Sequence, residues 1–209
     1  MQSFPLTETT FLLPGPVGDL EVLVTPNENS TRAATAIVCH PHPLYGGTMN
    51  NKVVTTLART FRDLGLHVVR FNFRGIGKSV GQYAEGKGEL DDLLAIVAWV
   101  KQVRPQDEIW LSGFSFGACI AAKAATQISV AQLVTIAPAV KHLDMRDLPP
   151  ITAPWLLVQG ENDEVVLPED VYAWVETRDP QPKLIRLPGA GHFFHGQLMD
   201  LRRAIEANL

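Results

Sequence analysis

At 209 residues, with 46% hydrophobic and 19% charged side chains, the chain has the composition of one globular domain, 1–209, and not of a disordered or fibrous polypeptide. A domain of this length buries about 70% of the surface its unfolded chain exposes, enough for one sizeable core. The net charge of −4, without clustered Lys and Arg, excludes the electrostatic footprint of a nucleic-acid or anionic-membrane binder.

The longest apolar run, Leu93 to Val100, is far too short to span a bilayer, and Met1-Gln2-Ser3-Phe4-Pro5 lacks the features of a secretory signal. The expectation is a cytoplasmic protein. Cys39 and Cys119 then read as small buried hydrophobes in a reducing compartment.

In chain order, strand-like segments at Thr10 to Leu13 and Leu20 to Thr25 flank Pro14, Gly15, Pro16 and Gly18, which predicts an antiparallel hairpin. Nearly continuous hydrophobic runs follow at Thr35 to Cys39, His67 to Phe73, Glu108 to Ser112, Gln132 to Ile136, Trp155 to Gln159 and Lys183 to Leu187. Such runs suit strands buried on both faces. Helix-like segments lie between them. The clearest is Glu89 to Val103, with Asp91 and Asp92 in its expected first turn and Pro105 as its stop. The alternation predicts an α/β fold with a mostly parallel sheet, helices on both faces, and the loops after the strands gathered at one edge.

Gly113-Phe114-Ser115-Phe116-Gly117 matches GxSxG between a strand and a small-residue helix that begins at Ala118. A serine at such a turn sits in strained backbone with its hydroxyl pushed outward, next to a helix N-terminus that favours developing negative charge. Its hydroxyl needs a base, and the base needs an orienting carboxylate. Asp163, after the strand Trp155 to Gln159, and His192, after the strand Lys183 to Leu187, fall at the same edge in the order Ser, Asp, His. Asp144, Asp147, Glu161 and Glu164 compete for the acid role and His195 for the base role. Position relative to the strands favours Asp163 and His192.

Four strings, Cys39-His40-Pro41-His42-Pro43-Leu44-Tyr45-Gly46-Gly47-Thr48, Asn72-Phe73-Arg74-Gly75-Ile76-Gly77-Lys78-Ser79, Gly113 to Gly117, and the Asp163 and His192 loops, resemble the α/β-hydrolase superfamily. Within it the chain is similar to the small lidless members of the dienelactone hydrolase-like group. That resemblance implies an α/β-hydrolase fold, with Ser115 as nucleophile, His192 as general base and then acid, and Asp163 as the orienting carboxylate. Dienelactone hydrolases use cysteine at the elbow where this chain has serine, so their substrate is not carried over.

An oxyanion hole needs two N–H donors, one from the residue after the nucleophile and one from the loop after the third strand. Phe116 supplies the first. Pro41 and Pro43 have no N–H, which leaves His42 as the leading second donor and Leu44 as the reserve. The expected activity is hydrolysis of small carboxylic esters without cofactor or metal. Thioesterase, lactonase and peptidase chemistry share the machinery, and an idle binding scaffold is the contrasting reading.

His40 and His42 form an HxH pair that in an extended segment points to opposite faces, which disfavours a shared metal. Gly77-Lys78-Ser79 imitates the end of a phosphate-binding loop, but Asn72 stands where its first glycine belongs. Arg74 reads as structural. Between the strands Gln132 to Ile136 and Trp155 to Gln159, where this superfamily commonly inserts a helical lid, only Ala137 to Ala153 intervenes. That segment has room for at most one short helix around Lys141 to Arg146.

Overall fold

The computed structural model describes residues 2–27, 30 and 32–209. In chain order the elements are β1 (Thr9–Gly15), β2 (Gly18–Thr25), β3 (Ala34–Cys39), α1 (Lys52–Asp63), β4 (His67–Phe71), α2 (Lys87–Val103), β5 (Glu108–Phe114), α3 (Phe116–Ala125), β6 (Gln132–Ile136), β7 (Trp155–Gly160), α4 (Pro168–Glu176), β8 (Lys183–Leu187) and α5 (Leu198–Glu206). One eight-stranded sheet runs β1-β2-β4-β3-β5-β6-β7-β8. The hairpin β1-β2 is antiparallel within itself and to β4, and every later pairing is parallel.

The continuous apolar runs are explained by two separate cores. On one face Ile37, Val69, Phe71 and Leu111 pack with Leu93, Ile96 and Trp99 of α2, Cys119 and Ile120 of α3, and Val171 and Trp174 of α4. On the other, Ala36, Val38 and Val68 pack with Val53, Leu57 and Phe61 of α1 and Leu201 and Ile205 of α5. Each central strand therefore buries both sets of alternating side chains, and each fully buried Val, Leu, Ile or Phe contributes about 1.5–3 kcal/mol. Strand order reverses between β3 and β5, which opens a crevice at their carboxyl ends.

Local departures from the sequence expectations have specific causes. The first hairpin turns more tightly, with Pro14, Gly15 and Gly18 paired inside the strands and only Pro16 and Val17 between them. β4 stops at Phe71: Asn72 N–H still reaches the Glu21 carbonyl of β2 at 2.9 Å, but Phe73 N–H turns away to His40 Nε2 at 3.0 Å. Helix α2 begins at Lys87, so Asp91 and Asp92 lie beyond its first turn and Glu89 occupies it. The Glu89 carboxylate accepts the N–H groups of Gly86 (2.8 Å) and Ala84 (2.9 Å), adding the extra residues to the helix. Asp92 instead accepts from Arg74 Nη2 at 2.7 Å and Nε at 3.0 Å, a buried pair that fixes the 74–81 loop against α2. Ala137 to Ala153 crosses from β6 to β7 as turns, with no helix at Lys141 to Arg146.

Candidate active site

Ser115 follows β5 directly and adopts φ 55°, ψ −114°, a region that non-glycine residues enter only under constraint. The constraint is backbone packing. A Cβ on Gly113 would overlap the backbone of Gly117, and one on Gly117 would overlap the carbonyls of Cys39 and His40 at the end of β3. The two glycines let β5, the turn and α3 touch through their main chains. Ser115 N–H is tied to the Ile136 carbonyl of β6 at 2.8 Å, and its own carbonyl accepts the N–H groups of Ala118 (3.1 Å) and Ala139 (3.3 Å).

The loops after β7 and β8 meet this turn. Ser115 Oγ lies 3.1 Å from His192 Nε2, and His192 Nδ1 lies 2.8 Å from Asp163 Oδ2. Asp163 Oδ1 accepts the N–H groups of Val165 (2.9 Å) and Val166 (2.7 Å). The carboxylate cannot supply a proton, so it fixes the one on Nδ1 of the neutral imidazole and leaves Nε2 as acceptor toward the serine hydroxyl. All three side chains are buried, with Ser115 at 7% exposure facing the crevice. The His192 ring rests on Phe114 (centroids 4.8 Å apart) and against Phe193 (5.0 Å). A hydroxyl, imidazole and carboxylate in this series can perform nucleophilic acyl transfer.

The competing residues lie elsewhere or do other work. Asp144 pairs with Arg146 at 2.9 Å, Asp147 and Glu161 are exposed, and Glu164 accepts the backbone N–H of His192 at 3.3 Å. The His195 ring lies tilted against Phe193, with centroids 5.8 Å apart.

After β3, Pro43–Tyr45 forms a short 3-10 turn capped by the His42 side chain, whose Nδ1 accepts the Leu44 N–H at 3.2 Å. The Tyr45 N–H goes to the His42 carbonyl at 3.1 Å. The N–H groups of His42 and Phe116 have no backbone acceptor among the described residues. The His42 ring touches Tyr45, Tyr83 and Phe116 at centroid distances of 4.7, 4.9 and 5.0 Å. Partial burial lowers its pKa, His142 lowers it further, and Glu89 opposes both. His40 has both ring nitrogens engaged, Nδ1 with the Pro41 carbonyl at 2.7 Å and Nε2 with the Phe73 N–H, and burial pushes it down to about 4. It braces the loop and has no free nitrogen for a metal. Burial pushes the thiols of Cys39 and Cys119 up, the latter to about 12.

The family model described as serine aminopeptidase, S33, matches residues 33–151, more than half of the chain. The chain belongs to this family of α/β serine hydrolases. This hydrolase is 51% identical to an α/β serine hydrolase homologue from Coxiella burnetii, with a TM-score of 0.96 over 99% of this chain and 100% of that one. It is 46% identical to an α/β serine hydrolase without a lid from Xanthomonas campestris, with a TM-score of 0.95 over 100% of this chain and 96% of that one. An uncharacterized Rickettsia prowazekii protein is 36% identical over 201 residues, 91% of this chain and 84% of the relative. In keeping with the lidless relative, the turns of 137–153 insert no lid domain into the hydrolase fold. Among the described residues no helix is long and apolar enough to cross a membrane.

Sequence reasoning passed over Gln159, read Glu164 only as a rival for the acid role, and read Glu89 only as the start of a helix. Glu89 carried a signal, since Gly86 stands three residues before it at N-cap spacing. Gln159 carried a weaker one, a single polar residue near the end of an otherwise apolar buried run. Glu164 stood out only as an acid candidate, because its contact with the His192 N–H depends on the fold of a different loop.

Proposed function

We propose that this hydrolase cleaves small carboxylic esters through an acyl-enzyme. Ser115 Oγ attacks the ester carbonyl while His192 Nε2 takes its proton, and Asp163 stabilises the resulting imidazolium. The imidazolium then protonates the leaving alkoxide, which departs as the alcohol. Water repeats the sequence at the acyl-serine: His192 takes a proton from it, the hydroxide adds to the carbonyl, and Ser115 recovers its proton as the carboxylic acid leaves. The tetrahedral oxyanion is held by the N–H groups of Phe116 and His42. Leu44 is set aside for this role because its N–H is already committed to His42 Nδ1.

The observation that carries this reading is the continuous series Ser115 Oγ, His192, Asp163 with contacts of 3.1 and 2.8 Å. Esters are favoured over larger substrates by the surroundings. Exposed Leu44 and Tyr45 on the His42 loop, Val165 beside Asp163 and Phe193 on the His192 ring form an open apolar rim with no lid above it.

Labelling of the purified protein with a fluorophosphonate probe tests the nucleophile, and a panel of p-nitrophenyl esters beside aminoacyl p-nitroanilides tests the bond. Expected are labelling that Ser115→Ala abolishes, ester turnover, and a loss of several orders of magnitude in that variant, leaving about 10³ over water at most. Turnover within a factor of a few of wild type in Ser115→Ala, or anilide cleavage exceeding ester cleavage, overturns the proposal.

A further inference from the structure

We infer that Gln159 is a positioning residue for the Asp163 carboxylate and acts through it on His192; this inference rests on the Ser115-His192-Asp163 reading above. Gln159 lies in β7 just before Gly160 and is completely buried. Its Nε2 donates to Asp163 Oδ2 at 3.1 Å and approaches the carbonyls of Val166 (3.2 Å) and Gly160 (3.3 Å). The oxygen it reaches is the one that accepts His192 Nδ1–H. With the amides of Val165 and Val166 on Oδ1, the carboxylate receives two donors on each oxygen, and rotation about its Cβ–Cγ bond is blocked from both sides.

The Gln159 amide has one workable orientation. Turned over, Oε1 would face three acceptor oxygens, so the donor edge belongs toward Asp163. As it stands, Oε1 is buried without a hydrogen-bond partner. An orphaned buried acceptor opposes folding, and a methionine of similar length would carry none. What glutamine supplies and methionine cannot is the second donor on Asp163 Oδ2. That donor fixes the carboxylate plane and draws off part of the negative charge that the imidazolium would otherwise feel. The titratable groups facing His192 are Asp163, Glu164 at its backbone N–H, and His195 beyond Phe193 on its own loop. Gln159 touches Asp163 of these.

The test measures kcat, KM and the pH profile of kcat/KM with p-nitrophenyl acetate, alongside melting temperatures, for the full chain and for Gln159→Met and Gln159→Glu. Gln159→Met is expected to lose roughly tenfold in kcat with KM unchanged, and the acidic limb of its profile to move upward by roughly half a pH unit, the effect of one donor removed from a charged oxygen. In Gln159→Glu two carboxyl groups about 3 Å apart cannot both ionise. The protonated pair restores the donor and much of kcat on the acid side of its own ionisation, above the acidic limb, and that ionisation adds a falling alkaline limb that wild type lacks. Folded variants with unchanged kcat and limbs, while Ser115→Ala and Asp163→Asn abolish turnover, overturn the role of Gln159 alone. Persisting turnover in Ser115→Ala overturns the Ser115-His192-Asp163 reading and this inference with it. If Gln159→Met does not fold, the glutamate variant decides: a profile identical to wild type rejects the inference.

Discussion

The backbone N–H of Asn162 donates to the carbonyl of Ala190 at 2.9 Å, which joins the loop bearing Asp163 to the loop bearing His192 one residue before Asp163 and two before His192. Glu161 N–H adds a second tie to the Leu187 carbonyl at 3.0 Å. The close fit depends on Gly160, where a Cβ would overlap the Ala190 carbonyl. Gly160→Ala should therefore push the two loops apart, destabilising the protein by about 1–3 kcal/mol. Because displacement by about an ångström costs up to about 10²-fold in rate, kcat should fall by at least tenfold in the fraction that remains folded. Urea denaturation and single-turnover kinetics on the same preparation measure both, and wild-type kcat would show that the loops do not share their geometry.

Asp163→Asn keeps the volume and the fold but replaces an acceptor with an amide that favours the wrong imidazole tautomer. A kcat lower by about 10⁴ is expected, with the melting temperature little changed. Asp144→Asn and Asp147→Asn should leave kcat near wild type. The reverse pattern in steady-state assays would relocate the acid.

His40 gives stability a pH dependence of defined sign. Burial holds it at about 4 in the fold against 6.5 when exposed, so between those values the unfolded chain binds the extra proton. Its contribution is fully present above pH 6.5 and is lost as pH falls toward 4. The difference corresponds to about 3 kcal/mol. Unfolding free energies at pH 7, 5.5 and 4 should show this decline, and His40→Gln, stable or not, should show a flatter one.

Without a lid, the crevice has no element to wall off a long acyl chain or to open at a lipid surface. Initial rates across p-nitrophenyl esters should favour short chains and rise smoothly through the solubility limit of the substrate. A jump on emulsion formation would mean that an apolar channel exists elsewhere at the site.

The alternation of apolar runs and helices was legible because strands buried on both faces leave a continuous signal, as Ile37 and Val38 show by entering opposite cores. Ser115, His192 and Asp163 were legible because each follows a strand at the same edge. The start of α2 was misread, since Asp91 and Asp92 resemble a first turn while Glu89, buried and bonded to two amides, is the residue that sets it. The choice between His42 and Leu44 was also open in the sequence. It depends on where one imidazole nitrogen points, which a string of residue types does not encode.

The serine, histidine and aspartate are separated by 77 and 29 positions along the chain, and the turn that holds the serine leans on the end of β3. No contiguous fragment contains a working precursor of the crevice, and no early local structure can display it. Turnover through the proposed Ser115-His192-Asp163 series would thus report on the whole sheet from β3 to β8 being closed. During refolding, turnover should return with the slowest long-range pairing and lag behind helical circular dichroism.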